Sequence, residues 1–208
     1  GLYRRFEEGD SDVYLTKIRM PLSNRAVQRA LGDCQQMHRL VTGFFGTSRK
    51  DLNILYRLRY ERGTCSIYIY SSEAVDRGRV SPGMEVAGER EMSDWLSSIC
   101  EGQTWNFDLV AWPSKKVARE GAHNSRRRML RSTDERLLWL QRKAQQNGFD
   151  VLSVRELESA QQTGWHDAGI GGQFHVHGYH YQGVLRVTDA ERIQETVCTG
   201  IGPGKAYG

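Results

Sequence analysis

Apolar positions follow two rhythms along this chain, and the switches between them mark its elements. Positions 13–20 alternate, with Tyr14, Thr16, Ile18 and Met20 on one side and Lys17 and Arg19 on the other, the period of a half-buried strand. Ser23 is placed to cap a short helix over Arg25–Leu31. Asp33 caps a second helix, whose apolar stripe is Met37, Leu40, Val41, Phe44 and Phe45 and which ends at Gly46. The β-rich runs Ile54–Glu61 and Cys65–Ser71 flank Arg62-Gly63, which predicts a hairpin. Glu91–Cys100 has weak helical spacing, and Thr104–Ala111 returns to a strand. The first half therefore reads β-α-β-β-α-β, a ferredoxin-like order.

The second half follows a similar plan. Asp134–Gln146 is a helix with Leu137, Leu138, Trp139 and Leu140 as its apolar content, stopped at Gly148. Phe149–Val154 is a short strand, and Gly164–Gly172 a glycine-rich loop. Gln173–Val187 is a long strand with bend points at Gly178 and Gly183, and Asp189–Thr199 a last helix. A strand closing this half would begin near Tyr207. The expected class is α+β, two tandem ferredoxin-like domains at 13–112 and 113–208, after an extension at 1–12 that has no clear period.

Charge adds a direction to this outline. The net charge is only +4, but Pro113–Lys143 holds ten Lys/Arg against three acids, a local +7 that leaves −3 for the rest. A basic stripe on a slightly acidic body is the footprint of a nucleic-acid partner. Arg136, Arg142 and Lys143 also fit a solvated helix face, whereas Arg126, Arg127 and Arg128 precede the helix. The four cysteines, 34, 65, 100 and 198, form no Cys-x-x-Cys, so neither a zinc ribbon nor a thioredoxin motif is expected. With no signal peptide and no long apolar run, the expectation is a cytoplasmic protein with reduced thiols and no membrane partner.

The terminal Gly200-Ile-Gly-Pro-Gly-Lys-Ala-Tyr-Gly208 allows two readings. Its glycines can turn successive backbone N–H groups toward a phosphate, with Lys205 adding a mobile charge. Alternatively it is a helix C-cap followed by a loop. His175 and His177 share a strand face, and with His180 they raise a zinc site. No nearby cysteine supports one, so no metal or other cofactor is assigned.

Several segments, in order, resemble the CasE family, the repeat-specific CRISPR endoribonucleases of type I-E Cascade. They are Val13-Tyr-Leu-Thr-Lys-Ile18, Asp33-Cys-Gln-Gln-Met-His-Arg39, Phe107-Asp-Leu-Val-Ala-Trp-Pro-Ser-Lys-Lys116, Tyr181-Gln-Gly-Val-Leu-Arg-Val-Thr-Asp189 and the terminal glycine motif. The resemblance implies RRM-related domains and a metal-independent RNase. Such an enzyme binds a CRISPR repeat hairpin, cuts at its 3′ base and keeps the mature crRNA 3′ handle beside other Cascade subunits. It implies His38 as the catalytic residue. Lys17, Lys205 and Gln35 are assigned to stabilise the transition state. Arg39, Lys115, Lys116, Arg119, Arg126, Arg127, Arg128, Arg131, Gly202, Gly204 and Lys205 are assigned to RNA. Trp112 stands where the family carries Asn, and Gln35 where some members carry Tyr. Two further readings stay open: a non-catalytic RNA-hairpin-binding subunit, favoured by Gln35, and a metal-dependent hydrolase built on the three histidines.

Overall fold

The computed structural model describes residues 12–46, 52–117, 126–157, 160–165 and 173–203, with only the backbone of 126, 160–165 and 173–177. The first sheet holds β1 (Tyr14–Pro21), β2 (Leu55–Glu61), β3 (Thr64–Ser71) and β4 (Glu85–Glu91) in the order β2-β3-β1-β4. All three of its pairings are antiparallel. Alternation in β1 sends Thr16, Ile18 and Met20 to complete burial. Two helices, α1 (Arg25–Gly32) and α2 (Cys34–Gly43), cover that face, and Val27, Met37, Val41 and Phe44 pack with Ile18, Met20, Ile67 and Ile69.

Helix boundaries follow their caps. The Asn24 side chain, rather than Ser23, accepts from the Ala26 and Val27 N–H groups and starts α1. Asp33 accepts from the Gln35 N–H at 2.9 Å and starts α2, as its sequence position predicts. Helical geometry ends at Gly43, three residues before the Gly46 stop expected from the apolar stripe. Phe44 and Phe45 are buried after the helix instead of within it.

The second sheet holds β5 (Thr104–Ala111), β8 (Phe149–Glu156) and β10 (Gln173–Val187) in the order β5-β10-β8. Thr104–Ala111, expected to close the first half, is therefore the edge strand of the second sheet. Alternation identifies a strand but not its neighbour, and Tyr179–Arg186 provides eight paired positions for it. The fourth place in the first sheet belongs to β4, whose sequence Glu-Val-Ala-Gly-Glu-Arg-Glu is almost wholly exposed and carries no apolar alternation. The helical stretch expected at Glu91–Cys100 is a short α3 (Ser93–Ser97).

Two hairpins extend the second half. β6 (Ser114–Val117) pairs with β7 (Arg126–Met129) as a separate two-stranded sheet. β9 (Ala160–Trp165) pairs with the first part of β10, and that hairpin lies against α1 and α2. The segment expected as a loop from Gly164 thus begins as strand. Helices α4 (Thr133–Gln146) and α5 (Ala190–Thr199) cover one face of this sheet through Trp139, Leu140, Ala144 and Ile193. Gly183 marks a close approach in that sheet: a Cβ there would stand 2.0 Å from the Ser153 carbonyl oxygen. The closing strand expected near Tyr207 lies outside the described residues. No helix among the described residues is long and apolar enough to cross a membrane.

Candidate nucleic-acid interface

Half of the basic stripe converges on one basin. Lys115, Lys116 and Arg127 from β6 and β7, Arg142 and Lys143 from α4, and Gly200, Gly202 and Pro203 after α5 line it together. Its geometry starts from the hairpin register, which sets Lys115 opposite Arg128 and Lys116 opposite Arg127. Like charges directly across a strand pair repel. Among the described residues only Lys115 of these cations has a carboxylate in reach, Glu135 at 3.2 Å, while Arg127 meets the Ser114 hydroxyl at 3.5 Å. The other cations face solvent without a described acid beside them, which is the electrostatic condition for binding a polyanion.

The glycine segment is fixed against this basin by shape. Gly202 has φ +74°, and a Cβ on it would stand 2.8 Å from the Trp139 ring. A larger residue would strain the backbone and push the indole out of the core. The described part supports close backbone approach to the basin; Arg119, Gly204 and Lys205 lie outside the described residues. Arg128 and Arg131 are exposed, and the side chain of Arg126 is not among those described.

Arg136 belongs to the same basic stripe but to a different structure. It is 6% exposed. Its guanidinium donates to Glu156 at 2.8 and 2.5 Å and to the Arg131 carbonyl, and lies 4.0 Å over the Tyr179 ring centroid. Hydrogen bonding from Arg136 holds the Glu156 carboxyl below its ordinary value. Burial and the Glu156 charge push the Tyr181 phenol up. This cluster is a buried anchor, so Arg136 is not the solvated helix-face cation that its spacing suggests.

The assigned reaction residues divide between two faces of the first sheet. His38 is half-buried on α2, with Gln35 one turn before it and Arg39 exposed beside it. α2 packs on α1 and on β9. Lys17 does not join His38. Its strand position points away from the helices, its ammonium lies 3.8 Å from Glu61 and it sits over the Tyr68 ring. Tyr14, a potential stand-in for the missing tyrosine, donates its hydroxyl to Asp12 at 3.1 Å.

Sequence reading missed a cluster where the two open sheet faces meet. Arg57 on β2 pairs with Asp108 on β5, and its other nitrogen is 3.0 Å from His180 Nε2 on β10. His180 Nε2 is also 2.9 Å from Asp108, which accepts from Gln182 at 2.8 Å. Burial alone would raise the Asp108 carboxyl. Hydrogen bonds from Gln182 and Arg57, together with the Arg57 and His180 charges, hold it below its ordinary value. His180 is thus held by Arg57 and Asp108, and the side chains of His175 and His177, the other members of the suggested zinc trio, lie outside those described. Nothing in the local sequence marks Arg57 or Asp108, since their partners are 51 and 72 residues away.

Comparison with known proteins agrees with this architecture. Residues 13–208 match the family profile described as CRISPR associated protein. The chain is 26% identical to the CRISPR-associated endoribonuclease Cse3 of Thermus thermophilus, over 94% of this chain and 96% of that protein. Among solved structures it is similar to Thermus thermophilus Cse3 bound to an RNA representing a pre-cleavage complex. That match has a TM-score of 0.80 at 25% identity, covering 95% of this chain and 96% of the other. The fold is also that of Cas6e from Escherichia coli K-12, with a TM-score of 0.66, 24% identity and coverage of 94% and 95%. With the profile spanning both sheets and the terminal glycine segment, the chain belongs to the family of CRISPR associated proteins.

Proposed function

We propose that this protein is a metal-independent endoribonuclease that binds CRISPR repeat stem-loops and cuts precursor CRISPR RNA at the 3′ base of the hairpin. The observation that carries this reading is the end-to-end fold match to Cse3 on a pre-cleavage RNA. The basin supplies what such a substrate requires. Its cations are distributed over a hairpin and a helix, so they can follow a phosphate backbone, which makes affinity steeply salt-dependent. An A-form stem offers shape and phosphates more readily than base edges.

The chemistry uses a nucleophile the RNA already carries. The ribose 2′-oxygen bonds to the adjacent phosphorus, the bond from phosphorus to the 5′-oxygen breaks, and a 2′,3′-cyclic phosphate remains. One proton leaves the 2′-OH and one reaches the 5′-oxygen, so an imidazole that titrates near neutrality serves either transfer. His38 fills that role in this reading. Gln35 donates its amide to a phosphate oxygen but cannot move a proton. Lys205 adds charge to the phosphorane, while Lys17 lies on the other sheet face, beside Glu61 and away from His38.

The product stays bound as a crRNA 3′ handle, in a cytoplasmic assembly with other Cascade subunits. We place the division between the two units between Glu91 and Thr104, which is supported by the change of sheet there. A second reading, an RNA-holding subunit without catalysis, is favoured by Gln35 at the tyrosine position.

One experiment separates them: cleavage of a labelled repeat hairpin in excess EDTA by the intact protein and by His38→Ala. The nuclease gives a single cut ending in a cyclic phosphate, slowed about 10²–10⁴-fold in the variant while hairpin binding persists. Tight binding without cleavage by either protein establishes the RNA-holding subunit instead.

A further inference from the structure

The open faces of the two sheets meet at Arg57, Asp108 and His180, and the first sheet's face is not an ordinary solvated surface. Register sets Lys17, Tyr68 and Arg57 in one row and Arg19, Ser66 and Arg59 in the next, all on the face opposite α1 and α2. Tyr68 is half-buried on β3, and the Lys17 ammonium lies 5.4 Å from its ring centroid. Between Arg19 and Arg59 the Ser66 hydroxyl is fully buried, with no hydrogen-bond partner among the described residues. A buried hydroxyl left unpaired is costly, so a group that reaches it gains directly.

The charges of this face are held loosely. Arg19 pairs with Glu85 at 2.9 Å and Lys17 with Glu61 at 3.8 Å, both on partly exposed side chains. Exposed pairs of this kind contribute little and exchange readily for another anion. Arg59, exposed, has no carboxylate within ion-pair distance among the described residues. An aromatic ring on a central strand, bordered by cations on both neighbouring strands, fits unpaired nucleotides: a base stacks on the ring while phosphates meet the cations. A duplex does not fit, because its bases are already stacked on each other. On the second sheet, a depression lined in part by Asn106, Gln182 and Arg155 adds polar groups suited to base edges.

We infer that the open face of the first sheet binds single-stranded RNA, and that this is a second RNA site, separate from the basin. In the protein's function the strand it takes is the unpaired segment adjoining the repeat stem. That last step rests on the proposed endoribonuclease reading; the sheet site itself rests on Tyr68, Ser66 and the arginines. A protein segment as occupant would have to bring its own carboxylates to Arg59, and it would leave the RNA measurements below without effect.

The test is fluorescence anisotropy with three probes: a repeat stem-loop, the same stem-loop with an unpaired extension of about ten nucleotides, and that extension alone. The proteins are the intact chain, Tyr68→Ala, Tyr68→Phe and Arg59→Glu. The extension is expected to tighten stem-loop binding about tenfold, consistent with the stacking of one or two bases. That increment disappears in Tyr68→Ala and Arg59→Glu and survives in Tyr68→Phe, whereas the bare stem-loop binds all four proteins alike. The isolated extension binds weakly and with the same dependence on Tyr68. An extension that adds nothing, or an increment that survives both damaging variants, overturns the inference. If the bare stem-loop fails to bind, the endoribonuclease reading falls, and the isolated extension still decides the sheet site.

Discussion

Arg136 and Arg142 stand six residues apart on the same helix, yet they belong to opposite kinds of structure. Arg136 points into the second unit, where Glu156 accepts from two nitrogens along one edge of its guanidinium and Tyr179 stacks on its face. Arg142 points into the basin beside Lys143, Lys115, Lys116 and Arg127, where the one described acid in contact is Glu135 on Lys115. Counting positive charge along the sequence cannot separate the two. What separates them is whether the fold brings an acid to each cation. A cation matched inside the protein is an anchor, and a row of unmatched cations is a surface waiting for an anion.

The comparison breaks most visibly at the anchor. Arg136→Ala leaves the Glu156 carboxylate buried without its partner, and losing one member of such a pair costs about 3–5 kcal/mol. Denaturant unfolding should show that loss, while hairpin affinity of the folded fraction stays near that of the intact protein. Acid should reach the same pair. Arg136 lowers the Glu156 carboxyl from its ordinary 4.5. The folded state therefore binds this proton less readily than the unfolded chain, so the stabilisation is present above that value and is lost as pH falls through the lowered one. In Glu156→Gln the part of the acid limb below about 4.5 should flatten, read from stability against pH.

Glycine substitutions give intermediate effects and separate the sheet from the basin. Gly183→Ala forces a methyl onto the Ser153 carbonyl, a backbone atom that cannot step aside, and should destabilise by about 1–3 kcal/mol. Gly202→Ala meets both a positive φ and the Trp139 ring, at roughly 1–2 kcal/mol. Thermal unfolding measures both. The second alone should also weaken hairpin binding, because it displaces the basin's glycine wall.

Periodicity made much of this fold legible and missed the parts without a hydrophobic signal. β1, α2, the β2–β3 hairpin, α4 and β10 each bury one face, so their apolar spacing announced them. β4 is nearly all exposed, and β6 and β7 carry five cations in eight residues, so none of them has an apolar alternation to read. The strand at Thr104–Ala111 was legible as a strand, but its membership depended on a partner some 70 residues later. The candidate site divided in the same way. Lys115, Lys116 and Arg127 could be named because the basic run is local in sequence. Arg57 and Asp108 could not, and His180 was named only with other companions, since only the meeting of two sheets joins the three. Lys17 was named from its charge, and its strand phase carries it to the face away from His38.

The smallest stability effect gives the sharpest contrast with Arg136. Lys116 sits directly across from Arg127 with no described acid beside it. Lys116→Ala removes that repulsion, so the free protein should become more stable by about 0.2–1 kcal/mol. The same change deletes one phosphate contact, so hairpin affinity should fall and the slope of log affinity against log salt should flatten by about 0.9 for a contact to the duplex stem. Stability and affinity then move in opposite directions at Lys116, whereas at Arg136 stability falls and affinity holds. Paired unfolding and salt titrations on the two variants read both signs. If Lys116→Ala instead lost stability and kept the full salt slope, its ammonium would be an internal partner like Arg136, and the basin would have to be redrawn around Arg142 and Lys143.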